Sequence, residues 1–224
     1  MKKILFVLTS HGELGTTGKA TGYFLSELSH PWRVFTQAGY AVDFASPAGG
    51  ASPVDGMNTE DPINREFLDS SDATRAAATL NLAEVDPRRY AAVFFVGGHG
   101  TMWDFPHNAH LAEIARTIYE EGGVVSAVCH GPAALVHVAL SNGTYLVAGK
   151  RVTSFTDAEE RAKKLETVVP FLLESELRAR GALFEHADLW QPHVASDSRL
   201  ITGQNPASAT PLAEEVVRVL ALQK

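Results

Sequence analysis

The chain has 224 residues, with 19 Lys and Arg against 26 Asp and Glu, and a formal net charge of −7. Binding to nucleic acid or to an anionic membrane needs clustered cationic side chains, so neither is expected of this acidic chain. Its single cysteine, Cys129, excludes an internal disulfide and a CxxC metal or redox site. No segment reaches the roughly 20 apolar residues of a membrane span, and the apolar run at residues 4–8 is too short for a signal peptide. We therefore expect a soluble, cytoplasmic protein.

Four apolar runs predict strands that are buried on both faces of a sheet. They lie at residues 3–9, 41–45, 91–96 and 124–128, and helical patterns separate them at 23–38, 108–121 and 132–140. Strands that alternate with helices in this way are typical of a parallel sheet with helices on both faces. The sequence therefore predicts an α/β fold.

Shorter elements are expected in the rest of the chain, which we interpret as one domain over residues 1–224. A loop-rich excursion at about 46–82 carries an Ala-rich helical stretch near 74–82. Further elements are predicted as a strand at 151–154, a charged helix ending near Lys164, a helix at 168–180, and strands at 183–184 and 200–202. The last helix is expected to open at Asn205-Pro206 or at Thr210-Pro211, because each pair places a capping residue before a proline.

Cys129 follows one of the predicted strands in a segment that resembles a nucleophile elbow. Ala127 and Gly131 lie two positions before and after it, which leaves room for a tight turn from strand to helix. Ligands of parallel sheets bind beyond the carboxyl ends of the strands, where this turn is expected to lie. A helix beginning near Gly131 would present N–H groups to the sulfur and lower the pKa of the thiol. We therefore interpret Cys129 as a reactive thiol rather than a buried structural cysteine.

Two further segments are candidates to assist Cys129. His130, next to the cysteine, is a candidate general base paired with a distant carboxylate. Gly98 belongs to a Gly-Gly-His-Gly motif at residues 97–100, which follows another predicted strand. Its amide and the amide of the elbow at His130 are candidates for an oxyanion hole.

Glu27 is a candidate acid-base residue in the first predicted helix. It lies among apolar residues, four positions before Pro31, where the helix is expected to kink or break. Burial at such a break would raise the pKa of the carboxyl group and make it a hydrogen-bond donor. Spacing alone favours the alternative, a solvated glutamate on the helix surface.

Together these segments resemble the ThiJ/PfpI superfamily and, within it, the chaperone-like, glutathione-independent glyoxalase (glyoxalase III) subgroup. The resemblance rests on AVCHGP at 127–132, GGHGT at 97–101 and TGYFLSELSHP at 21–31. Later motifs of that subgroup match SFTD at 154–157 with Glu160, and LITGQNPASA at 200–209. The resemblance covers nearly the whole chain, and its motifs are more specific for the family than for the reaction.

The resemblance implies a flavodoxin-like three-layer sandwich with a mostly parallel sheet, usually present as a homodimer and without a cofactor. It implies four catalytic residues: Cys129, His130, Glu27 and Glu160. Cys129 would be the nucleophile, and His130 and Glu160 would complete a Cys-His-Glu triad. Glu159 and Asp157 compete for the acid of that triad, and only the spacing from the motif at 154–157 favours Glu160.

The implied reaction converts methylglyoxal or glyoxal to lactate or glycolate without glutathione, in a stress-protective protein. The thiolate would add to the aldehyde carbon, Glu27 or His130 would move a proton through an enediol, and water would release the thioester. The alternatives are a holdase chaperone or oxidative-stress sensor, and a cysteine peptidase or amidase. A glutaminase is disfavoured, because the segment at 186–188 is a poor match to the His-x-Glu pair of those enzymes.

Two other sets of residues give weaker signals. A metal site is conceivable around His99, Asp104, His107 and His110. A solvated helix start explains the spacing of the last two better, so we predict no metal. Trp190 and His193 are candidates for the mouth of a pocket, with core packing as the equal alternative.

Overall fold

The computed structural model describes residues 3–223 and has a seven-stranded sheet at its centre. The strands are β1 (Lys3–Val7), β2 (Tyr23–Phe24), β3 (Ala41–Ser46), β4 (Val54–Asp55), β5 (Leu80–Asn81), β6 (Tyr90–Phe95), β7 (Val124–Val128), β8 (Arg151–Val152), β9 (Leu183–Phe184), β10 (Val194–Asp197) and β11 (Leu200–Gly203). The α-helices are α1 (Leu25–Gln37), α2 (Pro62–Leu68), α3 (Ser71–Ala76), α4 (Thr101–Asp104), α5 (Ala109–Glu120), α6 (Asp157–Lys163), α7 (Leu173–Ala179) and α8 (Ala209–Ala221). Short 3₁₀ turns lie at Leu82–Glu84, Pro87–Arg89, Gly131–Leu135 and Pro206–Ser208.

The strand order of the central sheet is β10-β11-β7-β6-β1-β3-β5. Every pairing in it is parallel except that of β10 with β11, which is an antiparallel edge. Two small parallel pairs, β2 with β4 and β8 with β9, lie outside this sheet. The predicted α/β fold with a mostly parallel sheet is confirmed.

Alternate residues of the central strands pack into separate hydrophobic clusters on the two faces of the sheet. In β1, Ile4 and Phe6 belong to the cluster that includes residues of α1 and α8, whereas Leu5 and Val7 belong to the cluster that includes residues of α5. Successive side chains of a strand point to opposite faces. A strand covered by helices on both faces therefore needs apolar residues at every position, which explains the uninterrupted apolar runs.

Helix α1 continues through Pro31, so the expected break does not occur. The predicted start at residue 23 was also early, because Tyr23 and Phe24 pair with β4. Proline removes the amide donor to the carbonyl of Glu27. Leu28, Trp32 and other residues of the same helix are buried in the core, and this packing outweighs the lost hydrogen bond.

Other predicted helices are shorter or displaced. The expected helix at 132–140 is only the 3₁₀ turn Gly131–Leu135, and the one at 168–180 begins at Leu173. The helical stretch expected near 74–82 is α3, which begins earlier because the Ser70 side chain caps it. The longest helices, α1 and α8, have 13 residues each, and no helix within residues 3–223 is long and apolar enough to cross a membrane.

The end of the chain contains one strand that the sequence did not predict, and its last helix, α8, begins at Ala209 after the N-cap Ser208 instead of at either expected pair. Strand β10 was missed, although its partner β11 was expected. Asn205-Pro206 opens the 3₁₀ turn that precedes α8, with Asn205 as its cap. Thr210-Pro211 then lies in the first turn of α8 itself.

Candidate active site

Cys129 lies directly after β7, at the carboxyl end of the sheet, and its backbone has the conformation of an elbow. Its φ of 59° is in the left-handed region that residues other than glycine rarely adopt. The Cys129 amide donates to the Gly203 carbonyl at 2.8 Å, and the Phe155 amide donates to the Cys129 carbonyl at 2.8 Å. A Cβ at Gly131 would lie 2.3 Å from the Phe95 carbonyl oxygen, so the turn after the cysteine requires glycine.

A cavity of about 340 Å³ lies next to the elbow. Cys129, His130, Glu27 and Gly98, all expected at the site, contribute to its walls. Apolar side chains such as Phe155 and Trp190 form much of the remaining surface. A larger cavity of about 660 Å³ lies near Tyr90 and Arg199 and contains none of these candidates, so chemistry rather than volume identifies the site.

The structure brings Cys129, His130 and Glu160 together in one hydrogen-bonded chain. The Sγ of Cys129 lies 3.3 Å from Nδ1 of His130, and Nε2 of His130 lies 2.7 Å from Oε2 of Glu160. Both His130 and Glu160 are buried. The three side chains have the arrangement of nucleophile, base and orienting carboxylate.

The charge of Glu160 determines the tautomer of His130. Burial acts to raise the pKa of Glu160, but the charges and N–H groups of His130 and His99 outweigh it and hold the pKa at about 2. An ionised carboxylate only accepts hydrogen bonds, so Nε2 of His130 carries a proton. Burial, followed by the nearby His99, lowers the pKa of His130. Neutral His130 therefore presents the lone pair of Nδ1 to the thiol.

Glu27 is fully buried in α1 beside Cys129, so the solvated alternative is excluded by the structure. Burial raises the pKa of Glu27 to about 8, and the Cys129 thiol and the Gly97 amide offset only part of this effect. Neither carboxyl oxygen has a hydrogen bond of ordinary geometry to the residues between 3 and 223. Glu27 is thus a buried carboxylic acid at neutral pH, with capacity to donate a proton to a ligand.

The expected lowering of the thiol pKa is wrong. Burial, and next the negative charge of Glu27, raise the pKa of the Cys129 thiol well above its usual range. The predicted helix after Cys129 is only the five-residue 3₁₀ turn Gly131–Leu135, so a helix dipole of the expected size is not present. A thiol with a raised pKa needs a base to remove its proton at neutral pH, and Nδ1 of His130 lies 3.3 Å from this sulfur.

Two backbone amides at the cavity are the candidates for an oxyanion hole. Gly98 and His130 both line the cavity, and their amides make no hydrogen bond to another backbone group among the described residues. The amide of Cys129 itself is occupied by the Gly203 carbonyl. Unoccupied N–H groups beside a nucleophile can stabilise negative charge as it develops on a substrate oxygen.

The two competing acids occupy other positions. Glu159 accepts hydrogen bonds from the backbone and hydroxyl of Thr156 and from the Trp190 amide. Asp157 accepts a hydrogen bond from the Ser175 hydroxyl. Glu159 holds the turn at the start of α6 and the segment at Trp190, and Glu160, one residue later, points to His130.

The residues of the conceivable metal site are separated in the structure. His107 stacks on His137 with ring centroids 4.6 Å apart, and Asp104 accepts hydrogen bonds from Thr9 and from the Ser10 amide. His110 is exposed at the start of α5. Of these residues, only His99 lines the cavity.

His99 is a site residue that the sequence interpretation missed as a catalytic partner. Its Nε2 lies 2.8 Å from Oε1 of Glu160, so the carboxylate binds two histidines. The ligand atoms of His99, His130 and Glu160 lie within 4.8 Å of one another, which is close enough for a metal ion. Through these atoms, His99 and His130 each pair with Glu160.

Trp190 and Thr21 lie at the cavity, whereas His193, the other candidate for its mouth, does not. His193 lies 3.9 Å from Glu185. Thr21 also lines the cavity, and its hydroxyl is buried without a hydrogen-bond partner among residues 3–223. The only sequence signal for Thr21 is its place at the start of the motif at 21–31.

Comparison with known proteins places this site in a family. A family model described as the DJ-1/PfpI family matches residues 19–219. The chain belongs to the DJ-1/PfpI family. The resemblance to the ThiJ/PfpI superfamily drawn from the sequence is thereby confirmed.

Curated members of the family similar to this chain have glyoxalase names. Glyoxalase 3 of Candida albicans is 35% identical over 230 residues, covering 97% of this chain and 98% of the relative. The glutathione-independent glyoxalase HSP31 of Saccharomyces cerevisiae is 35% identical over 226 residues, covering 93% of each chain.

Solved structures of the family have the same fold. The crystal structure of glyoxalase III from Candida albicans matches with a TM-score of 0.88 and 33% identity, covering 97% of both chains. The Rapid Encystment Protein 24 KDa of Francisella tularensis matches with a TM-score of 0.94 and 41% identity, covering 98% of this chain and 99% of that one. The DJ-1/PfpI sheet and helices are therefore shared over nearly the whole length.

Proposed function

We propose that this protein is a glutathione-independent glyoxalase that converts methylglyoxal or glyoxal to lactate or glycolate. One observation carries the proposal: the buried thiol of Cys129 lies 3.3 Å from Nδ1 of His130 and against Glu27, whose pKa is about 8. A thiol between a base and a neutral acid has the groups that isomerisation of a 2-oxoaldehyde requires. The glyoxalase names of full-length relatives support the same activity.

The first step is addition of sulfur to the aldehyde carbon. Neutral His130 takes the thiol proton on Nδ1, and the imidazolium that forms is stabilised by ionised Glu160 at 2.7 Å. The thiolate forms a carbon–sulfur bond, and the carbonyl electron pair moves to oxygen. The free amides of Gly98 and His130 receive this oxyanion. It then takes the proton of neutral Glu27, which leaves a hemithioacetal, an ionised Glu27 and the His130 imidazolium.

The second step moves a proton between the two substrate carbons. Ionised Glu27 takes the proton of the former aldehyde carbon while the His130 imidazolium protonates the ketone oxygen, which gives an enediol, neutral Glu27 and neutral His130. Glu27 then protonates the neighbouring carbon, and His130 takes the hydroxyl proton of the sulfur-bearing carbon, which leaves a thioester. His130 returns this proton to Glu27, so both groups are neutral again. Glu27 is the group proposed for this transfer, because a pKa of about 8 lets it both release and accept a proton near neutral pH. His130 is the alternative group for the transfer of the proton between the two carbons.

The third step is hydrolysis of the thioester. Neutral His130 removes a proton from water, hydroxide adds to the thioester carbonyl, and the carbon–sulfur bond breaks. The sulfur recovers its proton from His130, and the 2-hydroxy acid leaves as its carboxylate. The sum is one 2-oxoaldehyde and one water converted to one 2-hydroxy carboxylate and one proton.

Thr21 supplies a contact for the second oxygen of the substrate. A 2-oxoaldehyde has two adjacent oxygens, and the oxyanion hole binds only one of them. The Thr21 hydroxyl is buried at the cavity without a partner within residues 3–223, a condition that costs about 1–3 kcal/mol until a ligand satisfies it. We assign it to the ketone oxygen as a substrate-binding group.

The test is a glutathione-free assay with methylglyoxal that follows both substrate loss and lactate formation. Wild type is expected to form lactate, and Cys129→Ala and Cys129→Ser are expected to form none above background. A substitution at an exposed site outside the cavity, Leu183→Ala, serves as the matched control. Folding of each variant is checked by thermal unfolding. A folded wild type that consumes no methylglyoxal, or that consumes it without lactate, would contradict the proposal.

A further inference from the structure

We infer that His99 is a positioning residue that keeps His130 available as a neutral base, an inference that rests on the proposed function of the site. His99 was not among the expected catalytic residues, and it makes no contact with the sulfur comparable to that of His130. It acts through Glu160 and through the imidazole of His130, both of which it touches.

The geometry joins two histidines through one carboxylate. Glu160 accepts from Nε2 of His130 at 2.7 Å with one oxygen and from Nε2 of His99 at 2.8 Å with the other. The centroids of the two imidazole rings are 4.0 Å apart. The side chain of His130 is 1% exposed and that of His99 is 16% exposed, so His99 is the more accessible of the two histidines that line the cavity.

This arrangement solves a conflict within the triad. His130 must be neutral to accept the thiol proton, yet two buried carboxylates, Glu160 and Glu159, favour its protonated form. A base held too firmly in its protonated form accepts no proton. The like charge that His99 carries when protonated opposes this effect, and together with burial it leaves the pKa of His130 lowered.

The other groups around His130 do not replace this contribution. Phe155, whose ring centroid lies 4.5 Å from that of His130, is apolar. Cys129 faces Nδ1 as a neutral thiol. The remaining ionisable groups at the cavity are Glu27, Asp55 and Lys163, and Lys163 lies 5.4 Å over the ring of Trp190 at an exposed position.

The test compares His99→Gln and His99→Asn with wild type. The Gln amide reaches the position of Nε2, so it can keep the hydrogen bond to Glu160 while removing a ring that can take up a proton. The Asn side chain is shorter and removes both. In each variant the pKa of His130 is expected to rise, so the acidic limb of the profile of kcat/KM against pH moves up by about one pH unit. Because only His99→Gln can keep the hydrogen bond to Glu160, it is expected to retain more of the maximal activity than His99→Asn.

One further readout separates this inference from the proposed function. The ¹⁵N titration of the His130 ring by NMR measures the same shift without any substrate, and His107→Gln, at an exposed histidine outside the cavity, is the matched control. An upward shift in the His99 variants but not in the control supports the inference. If the pKa of His130 is unchanged or lowered in a folded His99 variant, the inference is overturned, whether or not the enzyme turns over methylglyoxal. A wild type without lactate formation would contradict the proposed function alone.

Discussion

Glu27 and Cys129 meet over the backbone of Gly97. A Cβ on Gly97 would lie 2.2 Å from Oε2 of Glu27 and 2.9 Å from Cβ of Cys129, so no larger residue fits between the acid and the thiol. Both side chains are buried, at 0% and 4% exposure. Burying two ionisable groups together destabilises a protein, and sites that do so are commonly functional. The stability and reactivity of this pair can be measured separately.

Burial of Glu27 is expected to lower the stability of wild type as the pH rises, and Glu27→Gln should abolish this dependence on pH. The pKa of Glu27 is raised from its ordinary value of 4.5 to about 8. Below pH 4.5 the group is neutral in both the native and the unfolded chain, so it costs nothing. Between pH 4.5 and 8 the unfolded chain ionises while the native state stays neutral, so wild type loses stability relative to the variant. The loss is about 5 kcal/mol when complete.

Urea unfolding of wild type and Glu27→Gln at several pH values from 4.5 to 9 measures this difference. The variant is expected to match wild type near pH 4.5 and to be the more stable protein above pH 8. Glu185→Gln, whose carboxylate is 41% exposed, is the control and should follow wild type throughout. Parallel stability curves for wild type and Glu27→Gln would show that Glu27 ionises normally.

The reactivity of the thiol should respond to the same substitution above pH 8. The charge of Glu27 is a leading cause, after burial, of the raised pKa of Cys129. Below pH 8 Glu27 is neutral, and alkylation by iodoacetamide is expected to proceed at similar rates in wild type and Glu27→Gln. Near pH 9.5 the variant lacks the opposing charge and should react about tenfold faster. Mass spectrometry of the single cysteine gives the rates.

Free glutathione, alkylated in parallel, corrects for the reagent's own dependence on pH. Cys129→Ala should take up no label.

Turnover of methylglyoxal by Glu27→Gln is expected to fall by about 100-fold, even though its thiol reacts faster with iodoacetamide near pH 9.5. If Glu27→Gln is alkylated faster but turns over methylglyoxal more slowly, then Glu27 acts in proton transfer and not by activating the thiol. Equal alkylation rates at pH 9.5 would contradict the effect of the Glu27 charge.

Replacement of Glu160 is expected to cause a large loss of activity, because both of its carboxylate oxygens accept hydrogen bonds from histidines. An ionised carboxylate accepts from both His130 and His99, whereas the amide of Glu160→Gln has one acceptor and would present its NH₂ group to one of the two imidazoles. We expect kcat/KM for methylglyoxal to fall by about 100-fold, with the thermal midpoint lowered. Glu185→Gln again provides the control. Activity within about threefold of wild type would exclude Glu160 from the triad.

The sequence predicted the central strands and the elbow at Cys129, because both depend on the residues within a short segment of chain. The apolar runs gave the central strands because both faces of each strand are covered. The elbow at Cys129 was predictable because small residues must flank so tight a turn. Pro31 was misleading, because a local rule for proline was overridden by burial of the helix around it.

Contacts between residues that are far apart in the chain could not be predicted from the sequence in the same way. No spacing in the sequence shows that Glu160 and His99, 61 positions apart, share a hydrogen bond. The choice of Glu160 over Glu159 rested on a motif, and its physical basis is the capping box in which Glu159 bonds to Thr156. The raised pKa of the thiol depends on burial and on Glu27, which only the folded chain brings together.

The hydroxyl of Thr21 provides the last prediction. It is buried at the cavity and has no partner among residues 3–223, so Thr21→Val, which replaces the hydroxyl by a methyl group of similar size, should not lower the free energy of unfolding. If the hydroxyl binds the ketone oxygen of the substrate, the same variant loses one neutral hydrogen bond. We then expect kcat/KM for methylglyoxal to fall by about tenfold. Thr21→Ser, which keeps the hydroxyl, should recover most of the activity. Full activity of Thr21→Val, or equal losses in Val and Ser, would exclude this contact.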